Sequence, residues 1–313
     1  MKVVFMGTPD FAVQTLEKII EAGHEVAGVV TQPDKPKGRS GTLAMSPVKE
    51  TALKYGLKIY QPQKIRNNAE FYNEMKQINP DVMVVVAFGQ MLPDEILELP
   101  KYGCINVHAS LLPAYRGAAP IQWAVIDGLK ETGVTTMQMD SGIDTGDIIM
   151  QTKVALDAKE TGGSLFDKLS VEGAVLLVKT LEAIENKTAQ RTKQDDSKSN
   201  YVKMFTKATG AIDFTQSAEY IERLIRGLNP WPSAYTHLDG KTLKIWDADV
   251  CNVTDEADAA PAGTVFDVTK SGFKVKCGSG ALQINELQLE GKKRMPADAF
   301  LRGFRLENGC LLG

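Results

Sequence analysis

The chain has 313 residues, 43% of them hydrophobic, and a formal net charge of −3 with a pI near 5.8. That is apolar material for about two domains, and the mild negative charge excludes bulk positive charge as a means of holding nucleic acid, so such a partner must meet a local basic patch. The four cysteines are scattered, no apolar run approaches membrane-spanning length, and Met1-Lys-Val-Val-Phe-Met-Gly7 opens directly into a strand, so a cytoplasmic protein with reduced thiols, no signal peptide and no metal site is expected.

Lys2 to Met6 is an apolar run ending at Gly7-Thr-Pro-Asp10, Phe11 to Ala22 has helical apolar spacing, and His24 to Thr31 is apolar again. Strand, helix and strand in that order predict the start of an α/β, doubly wound, mostly parallel sheet. Gly7 opens no Gly-x-Gly-x-x-Gly run, so a dinucleotide site is not expected, and Thr8 reads as a helix cap. Residues 32–49 break the pattern. They are long for a connection inside a domain, hold Pro33, Pro36, Gly38, Gly41 and Pro47, and set Lys35, Lys37, Arg39 and Lys49 against Asp34. A basic, Gly/Pro-broken loop of that length suits phosphate contact.

Ser46-Pro47 starts a helix with Ser46 as its cap. A short strand at Ile59-Tyr-Gln and a helix from Asn67 to Gln77 follow. Asp81 to Phe88 is the most apolar run in the chain, as a central parallel strand buried on both faces requires. Gly89-Gln-Met-Leu-Pro93 leaves its C-terminal end, where open α/β sheets bind ligands.

Cys104 to Pro120 holds Asn106 and His108, two residues apart and so on one face of a strand. Asn carries an amide that can donate to a developing oxyanion, and His moves protons near neutral pH. Pro113 and Pro120 bracket a segment that cannot be regular strand, with Gly117 allowing a turn. Ile121 to Asp127 reads as a helix. Gly133 to Gln138 suits a strand and leads into Met139-Asp-Ser-Gly-Ile-Asp-Thr-Gly-Asp147, a loop with three carboxylates. A carboxylate brought against His108 raises the imidazole pKa and fixes the ring. Spacing leaves Asp140, Asp144 and Asp147 as equal candidates. The loop lacks the twelfth-position Glu of an EF-hand.

Ile148 to Val154 is a further strand and Ser164 to Ala183 a long amphipathic helix, after which Asn186 to Asn200 is polar without apolar anchors and reads as linker. Beyond Lys207 come a helix over Ala218 to Leu228, Asn229-Pro-Trp-Pro, and five or more short alternating runs separated by turns, which predict a small β-barrel. Lys292-Lys-Arg294 with Arg302 and Arg305 forms a basic cluster. The predicted division is 1–189, a linker over 190–206, and 207–313.

Asn106-x-His108, Ser110-Leu-Leu-Pro113 with Arg116-Gly-Ala-Ala-Pro120, and Asp140-Ser-Gly-Ile-Asp144-Thr-Gly resemble the folate-dependent formyltransferases, most closely those acting on methionyl-tRNA. The resemblance covers essentially the whole chain, including Asn229-Pro-Trp-Pro-Ser233. It implies a catalytic trio of Asn106, His108 and Asp144. It implies a 10-formyltetrahydrofolate site lined by Ser110, Leu111, Leu112 and Pro113, with Phe88, Gly89, Gln90, Met91 and Leu92 beside it. It implies that the basic loop, with Lys35, Lys37, Arg39 and Lys49, engages the acceptor stem of initiator methionyl-tRNA, and that the C-terminal domain is an oligonucleotide-binding-type barrel. The expected reaction is formyl transfer to the methionine amine by a monomer, without metal. The family commonly has a basic residue where Ala114 stands. Other acceptor amines share the scaffold, and the barrel and basic loop favour a large one.

Overall fold

The computed structural model describes residues 1–37 and 42–313. It divides into two compact units, one of Met1–Pro120, Glu131–Ala155 and Phe166–Val202, the other of Ile121–Lys130, Leu156–Leu165 and Lys203–Gly313. The first is built on a seven-stranded sheet in the order Ile148–Ala155, Glu131–Gln138, Cys104–His108, Val82–Val86, Lys2–Gly7, Glu25–Val30, Ile59–Tyr60. Glu131–Gln138 runs antiparallel to both its neighbours, and the other pairs are parallel.

Alternation along the strands sends side chains to two helical layers. Val4, Met6, Val30, Met83, Val85 and Cys104 pack with Phe71 and Met75 of the helix Ala69–Ile78 and Ile96 and Leu97 of Asp94–Leu97. On the other face, a Cβ on Gly173 of the helix Gly162–Glu185 would come within 3.0 Å of Val107 and 3.4 Å of Val134, so a glycine lets that helix sit close. Val82–Val86 is buried throughout, as its unbroken apolar run requires.

Ser46 is the expected cap, its hydroxyl accepting from Lys49 N at 3.1 Å with Pro47 opening the helix Pro47–Lys54. Thr8 is not a cap. Its hydroxyl donates to Phe88 O at 3.2 Å and accepts from Gln32 N at 3.3 Å, while Gln32 Nε2 also donates to Phe88 O at 3.2 Å. Thr8 therefore ties together three chain segments leaving the C-terminal ends of adjacent strands, where backbone groups have run out of sheet partners.

The second unit has a curled antiparallel sheet, a half-barrel in the order Ala234–Leu238, Lys241–Cys251, Ala281–Leu289, Phe273–Lys276, Val265–Phe266, with Met295–Pro296 also pairing Ala281–Leu289. Register shifts at Ile245/Asp247 and Asp247/Ala248 bend the long pair. Ile221 and Ile225 of the helix Ala218–Gly227 fill the inside of the curl with Leu243, Ile245, Phe273 and Leu287.

In the first sheet, Gly133 sits where two backbones and Leu111 converge. A Cβ there would lie 2.0 Å from Thr152 O and 2.6 Å from Leu111 Cδ2. Since a carbonyl in a ladder cannot swing aside, Gly133→Ala is expected to destabilise the fold by about 1–3 kcal/mol. Urea denaturation followed by circular dichroism measures this, and a loss under about 0.5 kcal/mol, the range of neutral surface changes, would remove close backbone approach as the constraint.

Candidate active site

Cys104–His108 pairs in parallel with Val82–Val86, Val85 beside Asn106, so the segments after both strands leave the same sheet edge. Asn106 and His108 share one face. Burial pushes the Cys104 thiol up to about 12, so the cysteine at the head of this strand stays protonated and is no nucleophile. The Asn106 side chain is partly exposed and, among the described residues, makes no hydrogen bond. His108 is buried with an acceptor at each ring nitrogen. Nε2 lies 2.9 Å from Tyr115 O, and Nδ1 lies 3.6 Å from Asp144 Oδ2. A carbonyl only accepts, so Nε2 carries a proton. The Asp144 contact has ion-pair length but exceeds a hydrogen bond, and Oδ2 accepts instead from Gly117 N at 2.8 Å.

Of the three candidate carboxylates, Asp144 is the one the fold brings to His108. Asp140 Oδ1 closes its own loop, accepting from Gly142 N at 3.0 Å and Thr145 Oγ1 at 2.6 Å. The loop must double back. Gln138 pairs with Ile105 whereas His108 pairs with Thr135, so the chain runs three residues, or about 10 Å, past the imidazole before it leaves the sheet. Asp144 turns it in the left-handed region at φ 55°. At Gly146 a Cβ would lie 1.7 Å from Gln138 O, which only glycine permits.

The turn holding Tyr115 is fixed from a segment far along the chain. Asn200 accepts at Oδ1 from Tyr115 N at 2.6 Å and at its carbonyl from Arg116 N at 3.0 Å, and Tyr201–Val202 pairs with Arg116–Gly117. Arg116 is 2% exposed. Its guanidinium donates to Gln194 Oε1 at 3.1 and 2.8 Å and to Asp196 Oδ1 at 2.8 Å. Gln194, read in the sequence as part of a linker, is 6% exposed. Sequence reasoning missed Gln194 and Asn200, since nothing in their polar surroundings signals the burial of the one or the backbone partners of the other.

The segments expected to line a folate site divide in character. Ser110 and Leu112 are buried and shape the turn, Ser110 Oγ donating to Ala114 O at 2.7 Å and Leu112 N to Thr135 Oγ1 at 3.1 Å. Leu111 and Pro113 are partly exposed. Phe88 and Leu92 belong to the core, Gln90 Oε1 accepts from Ile65 N at 3.0 Å, and Met91 is 55% exposed beside Gly89, where a Cβ would meet open space. Met91 thus leaves apolar, accessible surface at the turn that follows Val82–Val86, the strand paired beside Asn106.

Of the basic loop, Arg39 lies outside the described residues. Lys35–Lys37 and Thr42–Ala44 pair as a short hairpin with Lys35 exposed. Lys49 is engaged, with Nζ 2.6 Å from Asp34 Oδ2 and 2.8 Å from Gln61 Oε1. In the C-terminal basic cluster Arg294, Arg302 and Arg305 each pair with an acid, namely Glu286, Asp298 and Glu307. Among the described residues no group of three or more His, Cys, Asp or Glu is placed to hold a metal ion, and no helix is long and apolar enough to cross a membrane.

The Lys49 ammonium and then the Gln61 amide hold the Asp34 carboxyl below its ordinary range. A depressed carboxylate stabilises the folded loop above its unfolded pKa, and that contribution fades as pH falls through the folded value. Lys49→Met is expected to raise the Asp34 pKa. Carboxyl-carbon NMR titration checks this, and an unchanged value would mean the contact does not persist in solution.

Residues 1–181 match the formyl transferase family and residues 204–305 the formyl transferase C-terminal domain. The chain is 62% identical to the methionyl-tRNA formyltransferase of Lachnospira eligens and 52% identical to that of Clostridioides difficile, with 100% of each chain covered in both comparisons. Its fold matches the crystal structure of an N-formyltransferase from Helicobacter canadensis in complex with folinic acid and dTDP-3-aminofucose, with a TM-score of 0.67 at 21% identity over 91% of this chain and 98% of that one.

Proposed function

The chain belongs to the formyl transferase family, and on that premise we propose that it transfers the formyl group of 10-formyltetrahydrofolate to the α-amino group of methionine on initiator methionyl-tRNA, as a cytoplasmic monomer serving translation initiation. The observation that carries this reading is the full-length identity to methionyl-tRNA formyltransferases, with His108 and Asp144 facing one another at 3.6 Å beside the unpaired Asn106 amide. We assign formyl chemistry to 1–189 and tRNA binding to 207–313, joined through 190–206.

The bound folate supplies an activated formyl group on N10. The Asn106 amide donates to the formyl oxygen as negative charge builds there, which for one well-placed donor is worth on the order of 10²–10³ in rate. His108 has its Nε2 proton fixed by Tyr115 O, so the proton it exchanges is carried at Nδ1, the nitrogen that faces Asp144 without a hydrogen bond to it. There it takes the proton of the attacking amine and returns it towards the departing nitrogen, directly or through water. Asp144 stabilises the imidazolium formed between. The 3.6 Å separation fits a site that tightens when substrate is bound. The turns at 88–92 and 110–113 hold the folate, Met91, Leu111 and Pro113 facing it from a frame made by the buried Phe88, Leu92, Ser110 and Leu112. Lys35, Lys37 and Arg39 meet tRNA phosphates, with Lys49 tied to Asp34 just before the strand Lys35–Lys37.

Assay of formyl transfer from 10-formyltetrahydrofolate to charged initiator tRNA, beside amino-sugar nucleotides, tests the substrate assignment, and preference for a sugar amine would overturn it. Asn106→Ala is expected to lower kcat about 10²–10³-fold and His108→Ala about 10²–10⁴-fold, with folate affinity retained. Near-normal turnover in His108→Ala would remove the proton-transfer role. Arg39→Ala and Lys35→Ala are expected to raise KM for tRNA while leaving the donor KM unchanged. Each should also flatten the salt dependence of tRNA binding, by a slope of roughly 0.9 for every duplex phosphate left without its cation. Equal movement of both KM values would separate this loop from the tRNA.

A further inference from the structure

We propose that Gln194 is a positioning residue for the reaction, setting the place of Asp144 against His108 from outside the three residues that meet substrate. The proposal rests on the reading of His108 and Asp144 as the reacting pair. Gln194 Nε2 donates to Asp144 O at 2.9 Å and to Gly146 O at 2.7 Å. It holds both ends of the turn in which Asp144 takes its left-handed φ of 55°. Aspartate is one of the few residues with a Cβ that visit this region, as a single residue, and the hydrogen bonds from Gln194 fix it there.

The orientation of the Gln194 amide is not free. A guanidinium carries donors and no acceptor, and Arg116 presents Nε and Nη2 to the Gln194 oxygen at 3.1 and 2.8 Å. The oxygen must face Arg116, and the NH₂ group must then face the two loop carbonyls. Arg116 is held in turn by Asp196 Oδ1 at 2.8 Å and lies 5.8 Å from the Tyr201 ring centre.

The same segment controls the other side of the imidazole. Asn200 binds Tyr115 N at 2.6 Å, and Ala118 N donates to Val202 O at 3.1 Å. Tyr115 supplies the carbonyl at His108 Nε2, and Gly117 N the donor on Asp144 Oδ2. Residues 194–202 therefore form a strap fastened to the aspartate loop at Gln194 and to the Tyr115 turn at Asn200 and Val202. Both oxygens that face His108 take their positions from it. A segment that separates the two predicted domains in the sequence thus also sets the spacing of the reacting groups.

The test is a double-mutant cycle on the full-length protein, with kcat and both KM values measured for formyl transfer to charged tRNA. Gln194→Ala is expected to lower kcat about 10- to 100-fold, the scale of a misplacement near 1 Å, with KM for donor and tRNA unchanged. In an Asp144→Ala background the same change is expected to cost less than about 3-fold, because groups acting as one unit are not additive. Gln194→Glu keeps an acceptor for Arg116 but cannot donate to the loop carbonyls, and it is expected to behave as Gln194→Ala. A wild-type rate in either Gln194 variant, an equal loss in both backgrounds, or a loss confined to KM would overturn the proposal while leaving the reacting pair intact. Failure of both variants to fold would make Gln194 a stability residue and overturn it too. A wild-type rate in Asp144→Ala would instead overturn the reading of the pair, and this proposal with it.

Discussion

The arrangement at His108 depends on one constraint, the backbone turn that carries Asp144. The strand before it ends level with Ile105, and the imidazole stands three residues further along the neighbouring strand. No extended continuation closes that gap. The chain reverses by combining a glycine whose Cβ space is already filled by Gln138 O with an aspartate at positive φ. Hydrogen bonds from Gln194 to both flanking carbonyls satisfy groups that would otherwise be turned away from any ladder partner.

The rest of the unit can be read as support for that turn. The single reversed strand places the loop beside Cys104–His108 rather than across a helical crossover, so the two polar stretches that look separate in the sequence become adjacent. Thr8 and Gln32 bind Phe88 O and hold the apolar turn beside the same edge. Gly133 lets Leu111 and the outer strand close over the sheet.

Much of the fold was legible because it follows from periodicity. The unbroken valine run at Val82–Val86 could only be a strand covered on both faces, and Ser46-Pro47 a helix start. Asn106 and His108 were legible as a same-face pair because strand spacing is strict. The choice among Asp140, Asp144 and Asp147 was not, because a loop reversal has no period, and the motif resemblance rather than spacing pointed to Asp144. Thr8 misled for a related reason, since a threonine before a helix caps it only if the chain turns there, and here the helix begins beyond Pro9. Gln194 and Asn200 were invisible because polar residues in a polar stretch give no sign of which will be buried, as Gln194 is, or of which will bind a distant backbone, as Asn200 does. Their partners lie across long sequence separations that no local pattern encodes.

Those separations have a consequence for the order in which the molecule assembles. The contacts fixing the site join residues 27 apart for Gly117 and Asp144, 50 apart for Gln194 and Asp144, 78 for Arg116 and Gln194, and 85 for Tyr115 and Asn200. Closing loops of that size costs chain entropy before any contact rewards it. The strap cannot fasten until the aspartate loop and the Tyr115 turn that it binds are in place. During refolding, helical and sheet signals therefore return first and activity last. If the strap sets the His108 pair as proposed, the pair stays unset during synthesis until residue 202 has emerged, and a nascent chain that already holds Asn106, His108 and Asp144 is still inactive.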